Sequence, residues 1–199
     1  MRKCPKCGSK QIAPILYGMP AMNEEMQQRI NEKKIYLGGC MISDRNPTYH
    51  CFKCRKNVGT RPVLINKQGK ENYPDIVTSI RYCDGGYDIG YPQIMIQKEE
   101  KISLEVTPGH LQPMAYLQRE MAKEEWDKML DRLYNKLYLH EWKKTFYNPE
   151  VQDGEQWELE ISLTGKRVRN YSGSNAFPPY WAELKTTFRP YFKEAGIKY

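Results

Sequence analysis

The sequence has no apolar run near the roughly 20 residues needed to cross a bilayer, which argues against a membrane role. Its first residues also lack the apolar stretch of about 7 to 15 residues that marks an export signal. The expected location is therefore the cytoplasm, where thiols stay reduced. Histidine is scarce: His50, His110 and His140 are the whole supply of side chains that titrate near neutrality. No G-x-S-x-G, H-E-x-x-H or phosphate-loop pattern occurs. The "HEW" at 140–142 matches only the first half of a metalloprotease motif, because Lys144 stands where the second histidine is required. An enzyme of unassigned class is thus the last of three readings, and no residue is nominated as catalytic or cofactor-binding. Disorder is excluded as well, since 40% of the 199 residues are hydrophobic and 12% aromatic.

Cysteine is present and ordered. Cys4 and Cys7 lie in "CPKCG", and Cys51 and Cys54 in "CFKC". A C-x-x-C turn offers two sulfurs from one tight loop, and two such turns fill the tetrahedron that zinc prefers. The sequence therefore predicts one structural Zn2+ on Cys4, Cys7, Cys51 and Cys54, with no open position for chemistry. The 43 residues between Cys7 and Cys51 exceed the spacer of about 15 to 20 in simple ribbons, so something is inserted. The insertion reads as a short strand, "QIAPILYGMP", and a polar helix capped by Asn23. Cys40 within it is expected to be a buried small thiol, and His50 a packing imidazole.

Charge is uneven. Residues 1–72 carry 14 lysines and arginines against 5 carboxylates, a net of +9, while residues 73–199 carry 17 against 19. A basic third suits an anionic partner. Arg2, Lys3, Lys6, Lys53, Arg55 and Lys56 also have a local reason, because four thiolates around one Zn2+ leave about two negative charges to offset. Among binding roles, a protein partner is preferred, on the enrichment in tyrosine and tryptophan, with nucleic acid as the alternative and no membrane.

Beyond the cysteines, residues 59–75 are rich in Gly, Pro, Asn and charge and read as a linker. The expected organisation is a zinc module at 1–58, a linker at 59–75 and an α+β domain at 76–199. In that domain "IVTSIRYC", "QIMIQ" and "ISLEV" read as strands. "DGGYDIGYP" is expected to be a plain glycine turn. A long helix is expected from about residue 116 to 140, with an apolar stripe of Met121, Trp126, Met129, Leu130, Leu133 and Leu137. "DGEQWELEISLTGKRVRNY" predicts a hairpin turning at 164–166, with Trp157, Leu159, Ile161 and Leu163 on one face and Glu158 and Glu160 on the other. Arg167 and Arg169 are the expected salt partners of those glutamates, leaving them no acid and base role. A short terminal helix follows Pro178 and Pro179 and is expected to stop at Pro190, with Ser174 or Asn175 capping a turn or its entry. Cys83, beside Asp84, is expected to be unreactive. The fold class is α+β: a zinc-ribbon-like module followed by an antiparallel sheet of about five strands, packed by one long and one short helix.

Two groups of motifs carry a resemblance. "CPKCG", "YLGGC", "ISD", "NP" and "HCFKC", over roughly the first 58 residues, are similar to the N-terminal zinc ribbon of a group of uncharacterised bacterial proteins. "HEWKKTFYNPEVQDGEQWELEI" and "YSGSNAFPPYW", over residues 140–192, resemble the C-terminal domain of the same group. There a tryptophan and tyrosine precede a DG.QW strand and a G.N..PP.W helix entry. Ser172 departs from the pattern by standing between the tyrosine and the glycine. The resemblance implies a treble-clef or ribbon-like zinc module joined to an α+β domain, and it brings no reaction with it.

Overall fold

The structure, a computed structural model, describes residues 3–87, 90–109, 116–151 and 154–198. Arg2 and His110 lie outside them, as do Asp88 and Ile89 of the expected glycine turn and the aspartate that opens "DGEQW". The chain is mixed α+β. Its first part holds β1 (Ile12–Leu16), α1 (Glu24–Asn31), β2 (Tyr36–Leu37), β3 (Tyr49–Cys51) and β4 (Lys56–Val58), with the strands ordered β2-β1-β3-β4. Asn23 caps α1 as expected, its side chain accepting the Met26 amide at 2.9 Å. The strands are too short to enclose an apolar core. Only Cys4, Cys51 and Val58 form the buried cluster here.

The segment read as a linker is structured. Val63–Asn66 (β5) and Gly69–Asn72 (β6) pair as a hairpin, followed by one helical turn, α2 (Tyr73–Ile76). Composition suggested a connection because the hairpin's tip and, apart from Ile65, its exposed side are polar, yet Leu64 and Tyr73 pack against the main core.

That core lies beneath a seven-stranded sheet: β7 (Val77–Gly85), β8 (Gln93–Lys98), β9 (Ile102–Thr107), β10 (Leu117–Glu120), β11 (Thr145–Tyr147), β12 (Gln156–Leu163) and β13 (Arg167–Ser174). The spatial order is β10-β9-β8-β7-β12-β13-β11, antiparallel throughout except for β11 beside β13. The expected strands and the 156–171 hairpin are present, and the two added edges raise the count from about five. Alternation divides the sheet. Ile80, Tyr82, Ile94, Ile96, Leu104, Val106, Trp157, Leu159 and Ile161 are buried on one face. Their neighbours point to the other face, which stays polar and at least partly exposed, as antiparallel sheets allow.

Two helices cover the buried face: α3 (Lys123–Asp131), continued by a π-turn at Arg132–Lys136, and α4 (Trp181–Glu194). The long helix expected from 116 is therefore corrected. Leu117–Glu120 is an edge strand because β9 offers it a full register, Leu117 opposite Val106 through Glu120 opposite Ser103. Arg119 then grips both helices, with hydrogen bonds of 2.9 and 3.1 Å to Glu125 and 2.8 and 3.2 Å to Glu194. The predicted apolar stripe is nonetheless buried from Met121 to Leu137. Past the π-turn, Tyr138 takes a left-handed φ of 55° and ends the run before a 3-10 turn at Leu139–Glu141.

The terminal helix is also corrected. It runs 14 residues through Pro190 instead of stopping there. Pro190 is exposed, so the carbonyl deprived of its donor faces water, while Phe188, Tyr191 and Phe192 anchor the buried side. Neither Ser174 nor Asn175 caps this helix, whose N-cap is Tyr180. Asn175 instead donates from Nδ2 to the Val151 carbonyl at 3.2 Å.

The tryptophan strand and the segment after β13 interlock. Trp157 Nε1 donates to the Ala176 carbonyl at 3.0 Å, across a strand whose Gly173 leaves no room for a side chain, since a Cβ there would fall 2.1 Å from Trp157 Nε1. Trp157 is 3% exposed and lies between Phe146 and Trp181. Trp157→Ala is expected to lower the stability of the sheet by about 3 to 5 kcal/mol, read from its chemical denaturation midpoint. A loss under about 1 kcal/mol would mean that the indole is not the keystone of this corner.

Candidate metal centre

The two C-x-x-C turns meet. Cys4 opens a loop in which its carbonyl accepts the Gly8 amide at 2.9 Å and its own amide donates to Ser9 at 2.8 Å, just before β1. Cys51 ends β3, and Cys54 lies in the turn to β4. Because β3 pairs with β1, Cys51 opposite Ile12, the ladder brings the two turns face to face. The four sulfurs lie within 4.8 Å of one another, with Cys4 to Cys54 at 3.8 Å and Cys7 to Cys51 at 3.6 Å. A tetrahedron with metal–sulfur bonds of about 2.3 Å has edges of about 3.8 Å, so this donor set fits a metal ion.

Backbone and charge agree with that use. The residue after each second cysteine is left-handed: Gly8 at φ 73° and Arg55 at φ 55°. Glycine adopts this freely, whereas Arg55 is strained there, so the second turn carries strain that the sulfur cluster has to hold. Burial pushes the Cys4 thiol up to about 12 and raises Cys54 as well. Burial also raises Cys51, but donors from Cys54 and Lys53 outweigh it, and this thiol is held below its ordinary value. Four thiolates this close repel one another, and a shared cation reverses that balance.

Two neighbours stay outside the cluster. Cys40 is exposed, against the expectation of a buried thiol, because its Gly-rich loop packs nothing over it. His50 is the packing imidazole expected: it stacks on Tyr36 at 3.8 Å and its Nδ1 meets Asn57 Oδ1 at 2.7 Å.

"HEW" has a structural job. Glu141, its side chain 6% exposed, accepts from the Gly59 amide (2.9 Å), the Thr60 amide (2.8 Å) and the Thr60 hydroxyl (2.7 Å), just past β4. His140 Nε2 lies 3.2 Å from the Thr60 carbonyl, and burial lowers the imidazole's proton affinity. On the other side of the metal turns, Tyr180 donates to the Lys3 carbonyl at 2.6 Å and Lys3 pairs with Glu183 at 2.8 Å. These contacts tie the cysteine-bearing part to the large sheet. Sequence spacing gave no signal for them.

The glutamate pair on β12 is met by a different residue from those expected. Arg81 on β7 lies 2.8 Å from Glu158 and 3.5 Å from Glu160. Arg167 and Arg169 stand opposite Leu163 and Ile161, hence on the other face, and Arg167 pairs with Glu71. Cys83 is half-buried, with its thiol pushed up to about 11 by burial, Asp84 contributing. The sequence reading missed Asp84 itself. It is fully buried beneath α4, accepts from the Tyr82 hydroxyl at 3.0 Å, and lies 3.5 Å from Lys185, which also meets Glu155 at 2.9 Å. Burial, opposed by Lys185 and aided by Glu155, pushes Asp84 up to about 7.

Two outcomes are expected. Cys51→Ser should abolish metal retention and, since such binding is worth of order 10 kcal/mol, remove the amide protection of β1–β4 while the seven-stranded sheet keeps its own. Retention of one metal equivalent by this variant would show that the cluster is not the site. For Asp84, the folded pKa is above the unfolded one, so the protonated form is favoured in the fold. Its stabilisation is complete below about pH 4, is lost progressively up to about 7, and stays lost above. Denaturation midpoints of Asp84→Asn should therefore lose the decline between these values that the parent shows.

No protein-family model matches the chain, and no curated protein matches it either, so what the centre does rests on its own residues.

Proposed function

We propose that the chain is a non-enzymatic interaction or regulatory protein of the cytoplasm, in which one structural zinc on Cys4, Cys7, Cys51 and Cys54 holds a ribbon-like module, residues 1–58, that presents a protein-binding surface. A donor set of four soft thiolates suits zinc and leaves no position open for a substrate. The hairpin at 63–72 joins that module to the α+β domain at 76–199. Six free thiols suit a reducing compartment.

The observation that carries this reading is the insertion between the two cysteine pairs. Met19, Met22, Met41 and Ile42 are 89%, 56%, 87% and 76% exposed. The Gly18 amide donates to the Gly39 carbonyl at 2.9 Å, which sets the two loops side by side, and α1 next to them buries none of its side chains. Apolar side chains gathered in this way mark interaction sites, and methionine adapts to a partner's shape. The nucleic-acid reading draws on the exposure of Lys6, Lys10, Lys53, Arg55, Lys56 and Arg61, although Lys3 is engaged by Glu183.

A photo-crosslinker placed at Met19 or Met41 should capture a discrete protein in lysate of the source organism, and Ile42→Ser should weaken that capture. Binding to labelled DNA and RNA should be weak and nearly flat between about 50 and 200 mM salt. A steep salt slope, abolished by reversing Lys53, Arg55 and Lys56 to glutamate with zinc retained, would install the nucleic-acid reading instead.

A further inference from the structure

The polar face of the seven-stranded sheet is chemically one-sided. Register places Arg81, Glu105, Glu120, Glu158 and Glu160 on it, four carboxylates against one guanidinium, among Ser, Thr, Gln and Asn with Cys83, Met95 and Val168, and Lys101 in the turn before β9 pairs with Glu120. Not one of its side chains on β7–β10, β12 or β13 is buried. The acidic character is local, because the chain as a whole is +7. At the β7-β12-β13-β11 end this face holds a cleft of about 520 Å3, with Cys83, Tyr91, Tyr147, Gln156, Glu158 and Ser172 among its walls. Among the described residues, Glu158 is the one charged residue lining it. Tyr91 and Tyr147 are 42% and 71% exposed.

We propose that this cleft receives a lysine or arginine side chain from a basic segment of another protein, with Glu158 as the counter-charge and the rings of Tyr91 and Tyr147 as its walls. The proposal rests on the protein-binding reading and names the partner's chemistry. A carboxylate beside aromatic rings attracts a cation by charge and by the negative ring faces together. Arg81, which is not among the cleft's lining residues, shows that this surface holds a guanidinium, spanning Glu158 at 2.8 Å and Glu160 at 3.5 Å. Glu158 is the nearer of the two, so one guanidinium between two carboxylates leaves a single negative charge shared by the pair, and an incoming cation would compete with Arg81 for Glu158. An anionic ligand is disfavoured by that surplus.

The neighbouring edge suits an extended segment. β11 is the last strand of the sheet, paired only with β13 among the described residues, and Thr145 and Tyr147 line the cleft. A strand laid along β11 would satisfy its outer amides and carbonyls while alternate side chains turn towards Glu158. A second copy of this chain is a poorer occupant. Its net positive charge sits in residues 1–72, so the contact would be head-to-tail and would not close, and like charge opposes such chains.

The test uses the zinc-loaded full chain and two fluorescein-labelled decapeptides, alternating lysine and serine or alternating glutamate and serine, followed by anisotropy. The lysine peptide should bind and the glutamate peptide should not. Glu158→Gln and Tyr147→Ala should each weaken binding about tenfold, with both exposed positions leaving the circular dichroism spectrum intact. Arg81→Ala should instead tighten binding, because it frees both glutamates, a change that a merely structural role would not produce. Unchanged affinity in the Glu158 and Tyr147 variants, no tightening in the Arg81 variant, equal binding of the glutamate peptide, or salt-sensitive oligomers of the chain alone would each overturn the proposal. Crosslinking through Met19 and Met41 reports separately on the protein-binding reading, so failure of this cleft and failure of that reading are distinguishable.

Discussion

Four cysteine sulfurs within 4.8 Å of one another stand at the centre of the cysteine-bearing part, where the rest of the chain has an apolar core. Strands of two to five residues in that region bury little, and the buried cluster among them is built from cysteines and one valine. Such a small structure gains too little from burial to offset the entropy of ordering its chain. A metal ion shared by the four thiolates, which this donor set fits, would supply what burial does not. The left-handed Arg55 is consistent with this division, because strain of order 1 kcal/mol is small beside a metal site.

The larger part is organised by a different constraint, the two-residue period of a strand. Alternation sends Trp157, Leu159 and Ile161 under α3 and α4 and their neighbours to the opposite face. The same period decides electrostatics. Glu160 stands opposite Arg81, and the pair forms without further arrangement, whereas Arg169 stands opposite Ile161 and cannot reach it. One residue of slip would exchange the faces entirely.

These two constraints explain which features were legible in the sequence. The cysteine pairs were readable because a metal turn fixes spacing locally, and the 156–174 hairpin because alternation and a Gly turn coincide within 19 residues. Leu117–Glu120 was not, since its strand character comes from β9, ten or more residues earlier, and in isolation it continues the helical pattern that follows. Pro190 was misread because its effect depends on which side of α4 meets water. The clamp at Glu141 joins residues 81 positions apart, and Asp84 becomes unusual only once α4 lies over it. Charge partners across a sheet require register, which composition does not contain.

The arrangement separates three surfaces of different character. The insertion between the cysteine pairs offers exposed methionines, the metal turns carry exposed lysines and arginines, and the open sheet face carries surplus carboxylate. Evenly mixed charge would favour no particular partner, but segregation gives each surface its own preference and sets the direction from which a charged partner approaches. The contacts at Lys3, Tyr180, Glu183 and Glu141 matter for that reason. They hold the basic and acidic parts in one fixed relation, so a partner that touches both must match a geometry as well as a charge.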